Sequence, residues 1–409
     1  MRRLLPLLCG LLLAACGQRA ARPIGDFTLP VYTPRYASGF EITGAAGSRS
    51  TLVTVHNPWY GDEVTDQYLF IARDGEPAPA GFEGQVLRDE ARRVVCMSGS
   101  YIAMLDALGA ADRVVGVSGA QYLINETLRR RIARGEAADV GFDSNVDFER
   151  LMALRPDLVM LFGIGGADTA LTGKLRELGI PYLYMGEHCE ESPLGKSEWV
   201  VVAAEIAGLR TEGSRLFAAI PERYERLRAL AQQTAARPRV MLNTPYRDTW
   251  FMPARNSYMV RLLEDAGARY VFEENTATQT LPIDIEQAYY LTSKSDFWLN
   301  VSGCNTLDEV RRQNPRLADT PPVREGRLRQ QPPPQRGGRQ RFLGIGRTAS
   351  RPRAGGSGAH LPPRTLRNGR TVLLPAAGIT RKPPRCAASD RSFGFPAEDG
   401  RTALFRQIF

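Results

Sequence analysis

The chain has 409 residues, enough for about two or three domains, and 43% hydrophobic with 24% charged residues is an ordinary globular balance. The net charge of +9 is unevenly placed: residues 328–409 hold 16 Lys and Arg against 3 Asp and Glu, leaving 37 basic and 41 acidic groups in residues 1–327. A basic surface would point to nucleic acid or an anionic membrane, but this excess belongs to one tail, so a nucleic-acid partner is set aside.

Residues 1–16 read as an export signal. Arg2 and Arg3 precede an apolar run, Leu4 to Leu13, that is too short to remain as a span. Leu13-Ala14-Ala15-Cys16-Gly17 resembles the lipobox of bacterial lipoproteins, in which cleavage leaves the cysteine first and lipidated. The mature chain is then expected on the extracytoplasmic, periplasmic face of the membrane, anchored through Cys16. Residues 17–91 read as a tether followed by a β-rich segment, with Gln18 to Ser38 polar and Pro-containing, and strands in TLVTVHNPW and QYLFIA. Asp74 to Gly84 is a Pro/Gly-rich link.

From 92 to 193, short β-branched strands alternate with helices through Gly turns. RVVCMS, RVVGVSG, LVMLFG and PYLYM are the strands, and Ser100–Leu108, Phe148–Leu154 and Leu171–Leu178 are helices. Residues 194–236 place Leu216, Ile220, Tyr224, Leu227 and Ala231 on one helix face, and Pro221 predicts a kink or fresh start near Ile220. This is the strut. The same rhythm then recurs over 237–327: PRVMLNTP, ARYVF and DFWLNVSG as strands, Tyr258–Ala266, Ile285–Leu291 and Leu307–Gln313 as helices, and Val323–Arg327 opening a last strand. The fold class is therefore α/β: two Rossmann-like lobes joined by a single long helix, with a ligand cleft between them.

Residues 328–409 break the rhythm, with 21 Gly or Pro among 82 residues. The simple reading is a disordered basic tail. Back-translation with a one-base shift yields a peptide with a turn, a capped helix start and an amphipathic run, so we expect a frameshift near Arg327. As written, the second lobe would then lack its closing strand and helix, and the chain would bind poorly or aggregate.

In open α/β sheets ligands bind beyond the carboxyl ends of the strands. Those ends nominate Ser98, Ser100, Tyr101, Gln121, Tyr122, Gly163, Glu187 and His188 from the first lobe, and Asn243, Tyr246, Trp250 and Arg255 from the second. Small residues there allow close backbone approach, and aromatics give rigid apolar contact. No catalytic arrangement emerges. Gly163-Ile164-Gly165-Gly166 lacks dinucleotide spacing, no GxxxxGK[ST] occurs, and Ser98 is not in a GxSxG elbow. His188-Cys189-Glu190-Glu191 could touch a metal, but contiguous ligands cannot all turn to one ion, so a cleft-lining loop is preferred. Asp143 and Asp147 read as helix-start residues, Asp147 as the N-cap of the Phe148 helix. The six cysteines fit neither a zinc pattern nor a disulfide framework, and Cys96 reads as a buried thiol. No cofactor or metal is expected. The competing classes are an extracytoplasmic enzyme on a similar scaffold, which would need a nucleophile, base or cofactor loop, and a structural adhesin.

VVCMSGSYIAMLDALGAADRVVGVSG, DVGFDSNVDFERLMALRPDLVMLFG and LRELGIPYLYMGE resemble the substrate-binding proteins of ABC importers for ferric siderophores, haem and cobalamin. ESPLGKSEWV and NTPYRDTWFMP look like the lipoprotein branch of that family found in Bacteroidota. The resemblance implies a monomeric, non-enzymatic receptor. It would hold a metal chelate between its lobes and pass it to an ABC permease and its ATPase. The positions matching the family's docking glutamates are Glu149 and Glu264.

Overall fold

Five strands precede the first lobe: β1 (Leu29–Tyr32), β2 (Phe40–Gly44), β3 (Thr51–His56), β4 (Asp66–Ala72) and β5 (Gln85–Arg88), hydrogen-bonded in that order. The computed structural model describes residues 21–60, 65–142, 145–163, 169–246, 249–301 and 307–329, with Tyr246 and Arg329 described by backbone alone. β1 to β4 run antiparallel and β5 joins β4 in parallel. Alternation sorts the side chains. Ile42, Val53, Val55, Leu69 and Ile71 enter the main core, while Leu52, Phe70 and Ala72 pack with Phe27 on the other face.

The stretch expected to be a tether is folded from Leu29 onward. Glu198, fully buried, accepts hydrogen bonds from the Tyr32 hydroxyl (2.8 Å) and from the backbone N–H groups of Arg35 (2.8 Å), Tyr36 (2.7 Å) and Ala37 (2.8 Å). Glu190 accepts from the N–H groups of Ser38 and Gly39 and from Trp199 Nε1 at 2.8 Å. Order in this segment comes from two distant carboxylates, so its own sequence carries no apolar period to announce it.

The first lobe follows as β6 (Val94–Cys96), α1 (Gly99–Ala107), β7 (Val114–Val117), α2 (Glu126–Ala133), β8 (Ala138–Asp139), α3 (Phe148–Ala153), β9 (Leu158–Phe162), α4 (Ala170–Glu177) and β10 (Tyr182–Met185). The sheet order is β10-β9-β6-β7-β8, every pairing parallel. Both faces are covered, which is why its strands read as unbroken apolar runs. Val94 and Cys96 join the core shared with the N-terminal sheet, while Val95 and Met97 pack with Leu151, Leu171 and Leu175 on the opposite face.

Residues 193–232 form α5 (Pro193–Glu198), α6 (Val200–Ile206), α7 (Arg210–Ala218) and α8 (Ile220–Gln232). The stretch has two roles. α5 and α6 are buried along their whole length: α5 takes Lys196 and Glu198 inside with it, and α6, apolar but for Glu205, shares the first lobe's core. The connection between lobes is α7 and α8, two helices that meet at Ala219, with Pro221 in the first turn of α8 as its sequence predicts.

The second lobe comprises β11 (Arg239–Leu242), β12 (Pro245–Tyr246), β13 (Thr249–Met252), α9 (Tyr258–Asp265), β14 (Arg269–Tyr270), β15 (Leu281–Ile283), α10 (Ile285–Ser293), β16 (Phe297–Leu299), α11 (Leu307–Gln313), α12 (Pro321–Arg324) and β17 (Leu328–Arg329). Its parallel sheet, β14-β11-β16-β17, repeats the β7-β6-β9-β10 part of the first lobe's order, with a separate antiparallel sheet β12-β13-β15 inserted. Val323 does not open a strand. Thr320-Pro321-Pro322 starts a helical turn that buries Val323, and the last described strand comes at Leu328. Leu328 and Arg329, the first residues of the expected tail, thus pair with β16, while the tail from residue 330 onward and Cys16 lie outside the described residues. Among the described residues no helix is long and apolar enough to cross a membrane.

Candidate functional site

Parallel strands bring their carboxyl ends to one edge, and in each lobe the chain reverses its winding beside the first strand, between β6 and β9 and between β11 and β16. Such switch points open a crevice. At the first, Ser98 caps α1, its hydroxyl accepting from the Ser100 N–H at 3.3 Å, and both serines remain partly accessible. Next to it, the turn after β7 uses Gly119 at φ 64°, a conformation that suits glycine. The carboxylate of Asp139 holds that turn by accepting from the N–H groups of Gly119 (3.1 Å) and Ala120 (2.7 Å). Gln121 is exposed and Tyr122 is 75% exposed, with Phe142 beside it at 6.2 Å between ring centroids. These residues form an open aromatic corner.

At the β9 and β10 end the chemistry is ionic. Glu187 is 1% exposed and its Oε1 lies 3.4 Å from Lys196 Nζ. Burial pushes its carboxyl up, but the Lys196 ammonium and the His188 ring outweigh that and hold it below the usual carboxylate range. His188 donates from Nε2 to the Gly163 carbonyl at 3.0 Å and packs on Phe162 at 4.3 Å. Its Nδ1 and Glu187 Oε2 are both buried without a hydrogen-bond partner, 3.9 Å apart. Cys189 follows, its thiol pushed up to about 12 by burial and the carboxylates of Glu187 and Glu190. Across the seam the Lys196 ammonium sits 4.6 Å from the Tyr258 ring of α9, a cation–π contact. Asn256 Nδ2 donates to Glu191 at 2.7 Å, and the Tyr224 hydroxyl donates to Asp265 at 2.8 Å. Leu194, Tyr224 and Leu262 fill the space between. Lys196 and Tyr258 were not foreseen.

Two nominated residues belong to the core instead. Tyr101 is fully buried and donates to the Leu161 carbonyl at 3.1 Å, because it shares the apolar helix face of Met104 and Leu105. Trp250 is 1% exposed, packs on Trp298 at 5.4 Å and donates to the Leu242 carbonyl. Strand alternation turns Trp250 and Met252 inward and leaves Phe251, between them, 40% exposed. Asn243 is also structural. At φ 66° it turns the chain after β11, donates to the Phe251 carbonyl at 2.8 Å and accepts from Asn300 at 2.6 Å. Arg255 pairs with Glu264 at 2.6 Å, joining a nominated ligand residue to a nominated docking residue. Glu149 is exposed in the first turn of α3, whose N-cap is Asp147. Tyr246 contributes only a described backbone, and Gly163 is closed over by Pro58 and Trp59. Cys96 is buried and free, its thiol pushed up by burial.

Among proteins of known sequence, two uncharacterized lipoproteins of Methanocaldococcus jannaschii are similar. One is 24% identical over 295 residues, 66% of this chain and 70% of the relative; the other is 22% identical over 280 residues, 65% and 70%. Among solved structures, a periplasmic heme binding protein from Pseudomonas aeruginosa is similar at a TM-score of 0.47 and 22% identity, over 58% of this chain and 83% of that one. A periplasmic vitamin B12 binding protein of Vibrio cholerae is similar at 0.43 and 15%, over 59% and 87%. Residues 94–334, spanning both lobes and more than half of the sequence, match the periplasmic binding protein family as a whole, and the chain belongs to that family.

Proposed function

We propose that this chain is the lipid-anchored receptor of an ABC importer, capturing a ferric siderophore, haem or cobalamin between its lobes and delivering it to the permease. The carrying observation is that the family match covers both parallel sheets while the edge of the first presents Ser98, Ser100, Gln121 and the exposed Tyr122–Phe142 pair. Accessible hydroxyl, amide and aromatic groups on a braced edge suit reversible capture of a large ligand. Thermal melting of the purified chain with a ferric siderophore, hemin or cyanocobalamin tests it. A true ligand at about 100 times its Kd should add about 2.7 kcal/mol of stability, and no saturable shift with any of the three would sink the reading.

Three finer proposals accompany it. Lipidation at Cys16 is supported by its lipobox-like context and by the lipoprotein relatives; loss of detergent partitioning in Cys16→Ser checks it, and unchanged partitioning refutes it. Docking through Glu149 and Glu264 is supported at Glu149 by its exposure, whereas Glu264 would exchange Arg255 for a permease arginine. A frameshift near Arg327, in a chain of the Bacteroidota-like lipoprotein branch, rests on the sequence alone, where a basic Pro/Gly-rich stretch replaces the alternating strands and helices. DNA sequence across codons 320–335 decides it, and one uninterrupted frame defeats it.

A further inference from the structure

The family match begins at residue 94, so the five-stranded N-terminal sheet lies outside it. That sheet nevertheless reaches the strand ends. After β3 the chain passes directly over β9 and β10: a Cβ on Gly163 would stand 2.6 Å from the Pro58 carbonyl oxygen, and one on Gly186 3.2 Å from Pro58 Cα. Glycine at both positions is what lets the crossing segment sit down on the strand ends. Trp59 anchors it edge-on to Tyr184 of β10, ring centroids 5.3 Å apart. Tyr60 is fixed next to it, its hydroxyl donating to the His188 carbonyl at 2.7 Å and its ring 5.9 Å from the His188 ring. The base of the crossing is closed by Asn57 N–H donating to the Thr65 carbonyl at 2.8 Å and Thr65 N–H donating to Asn57 Oδ1 at 2.9 Å.

So held, Tyr60 still leaves 44% of its surface open. An aromatic ring already fixed in place loses little rotamer freedom on contact with a ligand. The β7 and β8 end of the same edge carries Tyr122 and Phe142, 75% and 42% exposed. With strands about 4.8 Å apart, three or four spacings separate the two aromatic groups, roughly 15–19 Å along the edge.

We infer that the N-terminal sheet is a wall of the binding site, with Tyr60 a ligand-contacting residue that selects an extended planar macrocycle reaching from β10 to β7 over a compact chelate. This rests on the receptor reading above. The test is calorimetric titration of the full chain, as wild type, Tyr60→Ala, Tyr60→Phe and Tyr289→Ala, the last an exposed tyrosine of α10. The probes are hemin, cyanocobalamin and a ferric tris-hydroxamate. Tyr60→Ala should weaken a macrocycle at least tenfold, Tyr60→Phe less than threefold, and Tyr289→Ala not at all. If Tyr60→Ala lowers the denaturation midpoint, Tyr60→Leu, which keeps apolar bulk without the ring, carries the comparison. A wild type that binds only the tris-hydroxamate, or a macrocycle held equally by wild type and the Tyr60 variants, overturns the inference and leaves the receptor reading standing. A wild type that binds none of the probes overturns both.

Discussion

After β7 the chain turns through Gly119 and leaves Tyr122 three-quarters exposed; after β11 it turns through Asn243 and buries Trp250. Both turns lie at the carboxyl edge of a parallel sheet, one after the second strand of the first lobe and the other after the first strand of the second. What separates them is the insertion in the second lobe, where β12, β13 and β15 form a small antiparallel sheet. That sheet packs on the core of the lobe and contributes Trp250 and Met252 to it beside Val240, Leu263 and Trp298, while Asn243 braces it. The first lobe has no such insertion after β7, so its strand-end aromatics stay open. A carboxyl-end position makes a residue eligible for a site, and local packing decides whether it is available.

The largest effect that would break this contrast is Trp250→Ala, which should cost about 3–5 kcal/mol in urea denaturation, against about 0.5 kcal/mol or less for Tyr122→Ala. Equal losses would mean that the two turns are not different in kind. Lys196→Met comes next, at about 3 kcal/mol, because it leaves Glu187 buried and unpaired. Its pH signature has a definite sign. In the wild type the depressed Glu187 carboxyl contributes stability that is present above its unfolded value, about 4.3, and lost as pH falls through the lower folded value. Without the ammonium, burial raises the carboxyl instead, so its contribution declines as pH rises through that range. The stability gap between wild type and variant should therefore widen from pH 4 upward, and a constant gap would contradict the pairing.

Smaller again is Asn243→Ala, about 1–2 kcal/mol for forcing a left-handed turn on alanine. Asn243→Gly should recover the conformational part and still lose the bonds to Phe251 and Asn300; equal destabilisation by the two would remove the left-handed turn as the cause. The least costly change is the double Glu149→Ala, Glu264→Ala. Only the half-exposed Arg255 pair is given up, within about 1 kcal/mol. Ligand affinity should hold while uptake by cells is abolished. Normal uptake would refute the docking proposal, and so would lost affinity.

Local punctuation made much of the lobe architecture legible. Gly109 and Gly267, at φ 79° and 84°, end helices where the sequence places their stops, and α11 occupies the residues its period indicates. Elements without local signal were missed. α2 is charged and buries only Leu128, so it shows no apolar period although Asn125 caps it, and β8 is two residues long. The N-terminal clamp depends on Glu190 and Glu198, which stand 152 residues from Ser38 and 162 from Tyr36, whose backbone they hold. ESPLGKSEWV, chosen for its family likeness, supplies Glu198 and Trp199 to that clamp and Lys196 to the lobe seam. At the site, two errors had readable signals. Tyr101 lies in helical phase with Met104 and Leu105, and Trp250 alternates with Met252. The crossing of Trp59 and Tyr60 over β9 and β10 is a tertiary contact between segments more than 100 residues apart, which no local pattern could announce.

The proposed site holds ligand at the carboxyl edges of the parallel sheets. Hydrogen exchange of the full chain, with and without the chelate that gives the largest thermal shift, measures this most directly. Protection should rise at Ser98–Tyr101, Gly119–Tyr122 and Gly186–Cys189, while the opposite edge, around Asp112–Val114 and Gly179–Tyr182, stays unchanged. Protection confined to that opposite edge, or to the outer face of the N-terminal sheet, would contradict it.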